Sequence, residues 1–242
     1  MFDDAHWAEV PVVADAVTRL LRFDPYRETH TPGGGSGGPK ILDVCCGFGR
    51  ISAELARMGY AVTGVDITES YLKTAKEDAS YENLDIEYIH ADARSFVRPS
   101  SFDAAVNLYI SFGYFSDQKD DLLLLRNIYQ SLKKGGCFII ETLGKEIAVR
   151  DFVEAEWFER AGFTVLTEYE TLDSWTFLKN RWILLKDGKR LEKTFTQRLY
   201  SASELRAMML EAGFDNVEIY GDSDESPYDR KAVKLIAVGR KK

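Results

Sequence analysis

The chain has 242 residues, 45% of them hydrophobic, enough for one sizeable α/β domain with an insertion or for two small domains. Its formal net charge of −8 argues against a duplex-binding protein, which presents a basic face, so no nucleic-acid partner is expected. The three cysteines, Cys45, Cys46 and Cys137, show neither C-x-x-C zinc spacing nor a disulfide framework. No His–carboxylate cluster falls at ligand spacing, so no metal is expected, and a reduced, cytoplasmic setting is the simplest reading. No apolar run reaches the ~18 residues of a membrane span, and the acidic start Met-Phe-Asp-Asp is unlike a signal peptide. No membrane partner is expected either.

Taken in order, residues 1–30 hold a helical segment with Trp7, Val10, Val13, Val17, Leu20 and Leu21 on one face. It either packs on the domain or covers a ligand site, with Tyr26 as a contact in the second case. Residues 31–39, Thr-Pro-Gly-Gly-Gly-Ser-Gly-Gly-Pro, have the composition of a flexible linker. They are not a phosphate loop, because no Lys-Ser/Thr follows. Lys40-Ile-Leu-Asp-Val-Cys-Cys-Gly-Phe-Gly-Arg50 then gives a buried strand, a glycine turn and a helix start, the entrance of a doubly wound nucleotide-binding fold. Gly47 and Gly49 permit a sharp turn and close ligand approach. A dinucleotide fingerprint would need its third glycine where Ser52 stands. Asp43, before the turn, is unhelpful to a pyrophosphate and useful to an ammonium group.

The stretch Asp43-Val-Cys45-Cys46-Gly47-Phe-Gly49 resembles motif I of the class I S-adenosylmethionine (SAM) dependent methyltransferases, an acidic residue followed by G-x-G-x-G, with Cys45 in place of the first glycine. The resemblance implies SAM as cofactor, S-adenosylhomocysteine as product, and a cofactor site holding Asp43, Cys45, Gly47 and Gly49. Further along, Tyr60–Asp66 is a second strand ending in an acid. Asp66 suits the ribose hydroxyls or, alternatively, a cap for the next helix, a task open to Thr68 as well. Ile67 would lie against adenine. A helix over about 70–80 and the strand Ile86–His90 lead to Ala91-Asp92-Ala93. By resemblance Asp92 and Ala93 contact adenine, Asp92 being alternatively a loop acid that caps a turn, whereas His90 reads as structural.

Phe102–Phe115 is a fourth strand and its loop. By resemblance this loop flanks the methyl group, with Leu108 at the cofactor. Asn107-Leu-Tyr-Ile lacks the prolines of the N-P-P-Y carried there by nucleic-acid methylases. Tyr109, Phe112, Tyr114 and Phe115 shape an aromatic pocket or belong to the core. A helix over 117–132 is expected to stop at Lys133-Lys-Gly-Gly136 through left-handed caps. Cys137–Thr142 is strand five, and Leu-Lys-Lys-Gly-Gly-x-Phe-Ile-Ile resembles the family's recurring L-K-P-G-G. Glu141 and Tyr109 are the candidate catalytic groups.

Residues 163–200 read as three strands, with Asp187-Gly188 as a hairpin turn. Trp175, Arg181, Trp182 and Arg198 are candidate substrate contacts, or else members of a dimer surface or ordinary sheet packing. Ser201-Ala-Ser-Glu204 is a capping box, Gly213 stops that helix, and 216–220 and 232–239 are the last strands. The expectation is a Rossmann-like α/β fold. It has a seven-stranded, mostly parallel sheet, helices on both faces and an inserted antiparallel β-hairpin region. Residues 1–242 form one domain, divided into a segment 1–30, a linker 31–39, a SAM-binding core 40–145 and 201–242, and a substrate cover 146–200. The implied activity is methyl transfer to a small-molecule acceptor, by a monomer or homodimer. A SAM-binding module without turnover and an NAD(P)-dependent oxidoreductase remain as alternatives.

Overall fold

The computed structural model describes residues 8–22 and 38–242, so Trp7, Tyr26 and residues 31–37 of the glycine-rich stretch lie outside it. The elements are α1 (Val10–Leu21), β1 (Lys40–Val44), α2 (Arg50–Arg57), β2 (Ala61–Asp66), α3 (Glu69–Tyr81), β3 (Ile86–His90), β4 (Phe102–Asn107), α4 (Gln118–Ser131) and β5 (Leu132–Thr142). They continue with α5 (Lys145–Arg150), β6 (Ala155–Arg160), β7 (Phe163–Leu172), β8 (Phe177–Lys186), β9 (Lys189–Arg198), α6 (Ala202–Ala212), β10 (Asp215–Tyr220) and β11 (Leu235–Arg240).

Seven strands form one sheet in the order β10-β11-β5-β4-β1-β2-β3. β3, β2, β1, β4 and β5 pair in parallel, while β11 runs antiparallel to both β5 and β10. The parallel strands are apolar on both sides, and alternate residues feed opposite layers. Ile41, Ala104, Ile139 and Ile236 face the layer closed by α1 and α2. Leu42, Ala105, Phe138 and Leu235 face the layer closed by α4 and α6. Each fully buried Leu, Ile or Phe contributes roughly 1.5–3 kcal/mol, so these two layers dominate the stability of the sheet. Strand order reverses between β1 and β4, which opens a crevice beyond their carboxyl ends.

Local signals act where the sequence places them at α6. The Ser201 hydroxyl accepts from the Glu204 amide, the Glu204 carboxylate accepts from the Ser201 amide, and Gly213 ends the helix at φ 113°. The expected stop at Lys133–Gly136 differs. α4 ends at Ser131, and Leu132 is already extended (φ −73°, ψ 145°). Phe102 pairs with Leu132 but Ala104 with Cys137, so residues 133–136 bulge out of the strand. The bulge is fixed from outside: Gly135 N donates to Lys241 O (2.7 Å), Lys241 N to Gly136 O (2.8 Å), and Lys133 pairs with Asp103 (2.8 Å). The glycines serve this contact with the chain's last strand rather than a helix cap.

The insertion is a four-stranded antiparallel sheet, β6-β7-β8-β9, one strand more than the sequence indicated. The extra strand, β6, is an exposed edge without apolar alternation, joined to β7 through Ala161 and Gly162, both left-handed. Asp187 and Gly188, at φ 51° and 70°, make the expected tight turn between β8 and β9. The insertion departs from and returns to the core at one place, where Gly144 bridges Tyr200 and Lys145 N donates to Tyr200 O (2.9 Å). It is also fastened to the loop after β4. Arg198 N donates to Gly113 O (2.7 Å), and the Gln197 side chain to Phe112 O (3.0 Å). A side chain at Gly113 would run into the Arg198 carbonyl.

Candidate active site

Two cavities meet at the carboxyl ends of the parallel strands. The first, about 490 Å³, lies over β1, β2 and β4 and the loop after β3. Asp43, Cys45, Gly47, Asp66, Ile67, Asp92, Ala93 and Leu108 all line it. Gly49 does not. It begins α2 at φ 72°, and a side chain there would collide with the Tyr88 hydroxyl, so its role is packing.

The turn after β1 takes positive φ at Cys45 (61°), Gly47 (57°) and Gly49 (72°). Cys45 tolerates a conformation that side chains resist, at a cost of about 1–2 kcal/mol. A side chain at Gly47 would meet nothing within 4 Å, because only the cavity lies beyond it. Asp66 ties this turn to the end of β2, one carboxylate oxygen accepting from Gly47 N (2.9 Å) and the other from Thr68 N (2.8 Å). Thr68 is the N-cap residue of α3, and its side chain makes no capping bond. The remaining Asp66 lone pairs are available at the cavity wall.

Asp43 is buried and accepts from the Ser52 hydroxyl (2.6 Å). Burial raises its pKa to about 6, the nearby Asp66 charge adds to that, and the Ser52 bond opposes it. Ser52, the residue that breaks the dinucleotide fingerprint, therefore holds the acid of the turn. Burial likewise pushes the Cys45 thiol up to about 12 and Cys46 higher still, so both are neutral thiols. Asp92 is depressed, chiefly by Arg94, which grips its carboxylate (2.6 Å) and reaches Asp120 (2.9 Å). His90 bonds to the Ile67 carbonyl (2.9 Å) and thereby supports the floor.

The second cavity, about 610 Å³, lies between the ends of β4 and β5 and the inserted sheet. Tyr109 and Tyr114 line both cavities. Tyr109 and Ile110 sit at φ 55° and 59°, two successive left-handed residues of which one is β-branched, a strained arrangement at the junction. The Arg50 guanidinium lies 4.7 Å from the Tyr109 ring centre. Burial raises the Tyr109 pKa, with Arg50 opposing, so the phenol keeps its proton at neutral pH. Its hydroxyl is buried and has no hydrogen-bond partner among the described residues, and the same holds for Trp182 Nε1. Glu141, buried at the end of β5, belongs to this second cavity and pairs with Lys234 (3.0 Å).

Four of the expected substrate contacts fall outside both cavities. Phe112 is core, packed on Tyr200. Trp175 meets Phe152 edge-on (5.1 Å) and stands behind the wall. Arg181 is held between Glu168 and Glu192 (2.7 Å each) on the exposed sheet face, and Arg198 covers the Phe177 ring (4.3 Å). Phe152, Tyr169 and Phe195 line the second cavity, and no sequence signal marks them, because they come from separate places in the insertion, the loop after α5, β7 and β9. Among the described residues there is no group of three His, Cys, Asp or Glu able to hold a metal ion, and no helix long and apolar enough to cross a membrane.

Residues 41–136 match the family model described as a methyltransferase domain. A protein of Geobacillus sp. (strain WCH70) named only as a methyltransferase is 27% identical over 205 residues, covering 80% of this chain and 81% of its own. The ubiquinone biosynthesis O-methyltransferase of Dinoroseobacter shibae is 31% identical over 136 residues, covering 56% of this chain and 53% of its own. In fold, an S-adenosylmethionine-dependent methyltransferase from Clostridium acetobutylicum superposes with TM-score 0.78 at 15% identity, over 99% of this chain and 92% of its own. None of these matches supports the oxidoreductase alternative. The matched domain, the named relatives and the sheet order agree: residues 41–136 carry a methyltransferase domain, and the fold is that of the S-adenosylmethionine-dependent methyltransferase from Clostridium acetobutylicum.

Proposed function

We propose that this enzyme moves the SAM methyl group onto a small organic acceptor, with the cofactor in the first cavity and the acceptor in the second. The observation that carries this reading is the junction: two cavities of ligand size share Tyr109 and Tyr114 in their walls, so they are neighbours there. The ubiquinone biosynthesis name of the Dinoroseobacter relative is in keeping with a small organic acceptor.

The residues of the first cavity suit SAM. The vacant space above Gly47 admits the amino-acid tail against bare main chain. Asp43, poorly solvated and without an ion pair among the described residues, gains from an ammonium group. Asp66 keeps lone pairs for the ribose hydroxyls, and Ile67, largely exposed, offers an apolar face to the adenine. Asp92 retains acceptor capacity beside its Arg94 clamp for the adenine amine, with Ala93 and Leu108 alongside.

When bound, SAM supplies a methyl carbon on a positively charged sulfur, a leaving group that needs no protonation. The chain then has to position a nucleophile for in-line displacement and exclude water. Tyr109 orients the nucleophile through its unpartnered hydroxyl, and Glu141 is the carboxylate near it for the released proton. We further propose the division of labour in which residues 40–145 and 201–242 hold the cofactor and 146–200 cover the acceptor.

The test supplies SAM carrying a labelled methyl group, the purified enzyme and a metabolite extract. Label is expected in a low-molecular-weight product other than SAM that is absent when the enzyme is omitted. Label confined to protein or nucleic acid, or none transferred, sinks the reading.

A further inference from the structure

The second cavity is one-sided in charge. Its wall carries Glu141, Asp151 and Glu156 and, among the described residues, no Lys, Arg or His. Glu141 is paired with Lys234 (3.0 Å) and Asp151 with Arg150 (2.6 Å). Glu156, at the exposed rim on β6, accepts only from the Tyr169 hydroxyl (3.0 Å) and has no cation beside it among the described residues. The rest of the wall mixes aromatic rings, among them Phe152, Tyr169, Trp182 and Phe195, with aliphatic side chains and the amides of Asn180 and Gln197. Ring faces attract ammonium groups, while the carboxylates repel anions.

Tyr109 Oη and Trp182 Nε1 are buried donors without partners among the described residues, and both residues line this cavity. Buried donors left so cost free energy, and a ligand oxygen relieves it.

Resting on the reading of this cavity as the acceptor site, we infer that it takes a cationic amine carried on an aromatic ring bearing an oxygen, and turns away carboxylates and phosphates. The amine sits toward the Glu156 rim, and the oxygen reaches the Tyr109 and Trp182 donors. The two residues then have separate tasks: Glu156 recognises, Tyr109 aligns.

Tyramine and 3-(4-hydroxyphenyl)propionate test this, since they share a ring and a phenol and differ in the charge of the tail. Each is titrated calorimetrically into enzyme saturated with S-adenosylhomocysteine, whose own affinity is measured first. Tyramine is expected to bind at least about tenfold more tightly than the propionate. In Glu156→Gln that ratio should shrink by about three- to fivefold, as for loss of one exposed ion pair, with S-adenosylhomocysteine affinity unchanged. Equal binding, preference for the propionate, no tyramine binding up to about 10 mM, or an unchanged ratio in Glu156→Gln overturns the inference while the cofactor reading stands. Failure of S-adenosylhomocysteine itself to bind overturns the cofactor reading, and this inference with it.

Discussion

The two cavities differ in how the chain builds them. The first is made of short backbone turns at the ends of consecutive strands, where three acids and a bare glycine come from residues 43–93. The second is made of side chains from β5, α5, β6, β7, β8 and β9, several of them brought together across hairpins. One is specified by backbone conformation and the other by packing. A change in the first therefore disturbs a fixed geometry, and a change in the second alters shape and charge.

The largest effect is expected at Asp66. Asp66→Ala removes the acceptor for Gly47 N and Thr68 N as well as the proposed ribose contact. SAM affinity should fall by about 100-fold or more, since hydrogen bonds to a charged group are worth roughly 1.5–3 kcal/mol each. Calorimetry with SAM checks it, and unchanged affinity would dissolve the contrast between the cavities. The melting temperature should drop too, because two amides lose their acceptor.

Gly47→Val comes next. The position has φ 57° and open cavity beyond it, so the fold should survive with a cost of about 1–2 kcal/mol while SAM binding falls more than tenfold. Far-ultraviolet circular dichroism with a SAM titration separates the two effects.

The third concerns pH. Asp43 has its folded pKa raised to about 6 from 3.8, so its charge is costly in the fold. The stability it lends the ligand-free protein is fully present below the unfolded value and is lost as pH rises through about 6. The ligand's ammonium needs the ionised form, so SAM affinity should weaken as pH falls from 7.5 through about 6. Titrations at pH 7.5 and 5.5 decide it, and Asp43→Asn should flatten the profile.

Tyr109→Phe is expected to lower kcat by about tenfold, the scale of one lost hydrogen bond, with SAM affinity within about twofold. Equal losses in both would assign Tyr109 to the first cavity alone. The smallest effect is expected from Arg181→Ala, which breaks two exposed ion pairs on the outer sheet face and should leave turnover unchanged and stability within about 1 kcal/mol.

The same contrast explains what could be read from the residues alone. Asp43, Gly47 and Asp66 announce themselves because a glycine turn after an apolar strand has few conformations, and a strand-ending acid has few places to point. Glu141 is legible as a strand end and Tyr109 as a member of the aromatic loop after β4. Arg181 and Arg198 suggested substrate contacts by their type, but cross-strand glutamates and the Phe177 ring engage them. Phe152, Phe195 and β6 carried no periodic signal, since their placement follows from sheet pairing over distances that local pattern does not encode. The Lys133–Gly136 stretch misled for a related reason: glycines after basic residues suit a helix cap, and here a distant strand claimed them.

The bridge between Gly144 and Tyr200 brings the two ends of the insertion together, and β9 is held besides to the loop after β4. Such an insertion can be transplanted between related enzymes by two cuts only a few ångströms apart, leaving the parallel strands untouched. On the proposed division of labour, acceptor preference can change within the insertion while the residues proposed to hold the cofactor stay as they are.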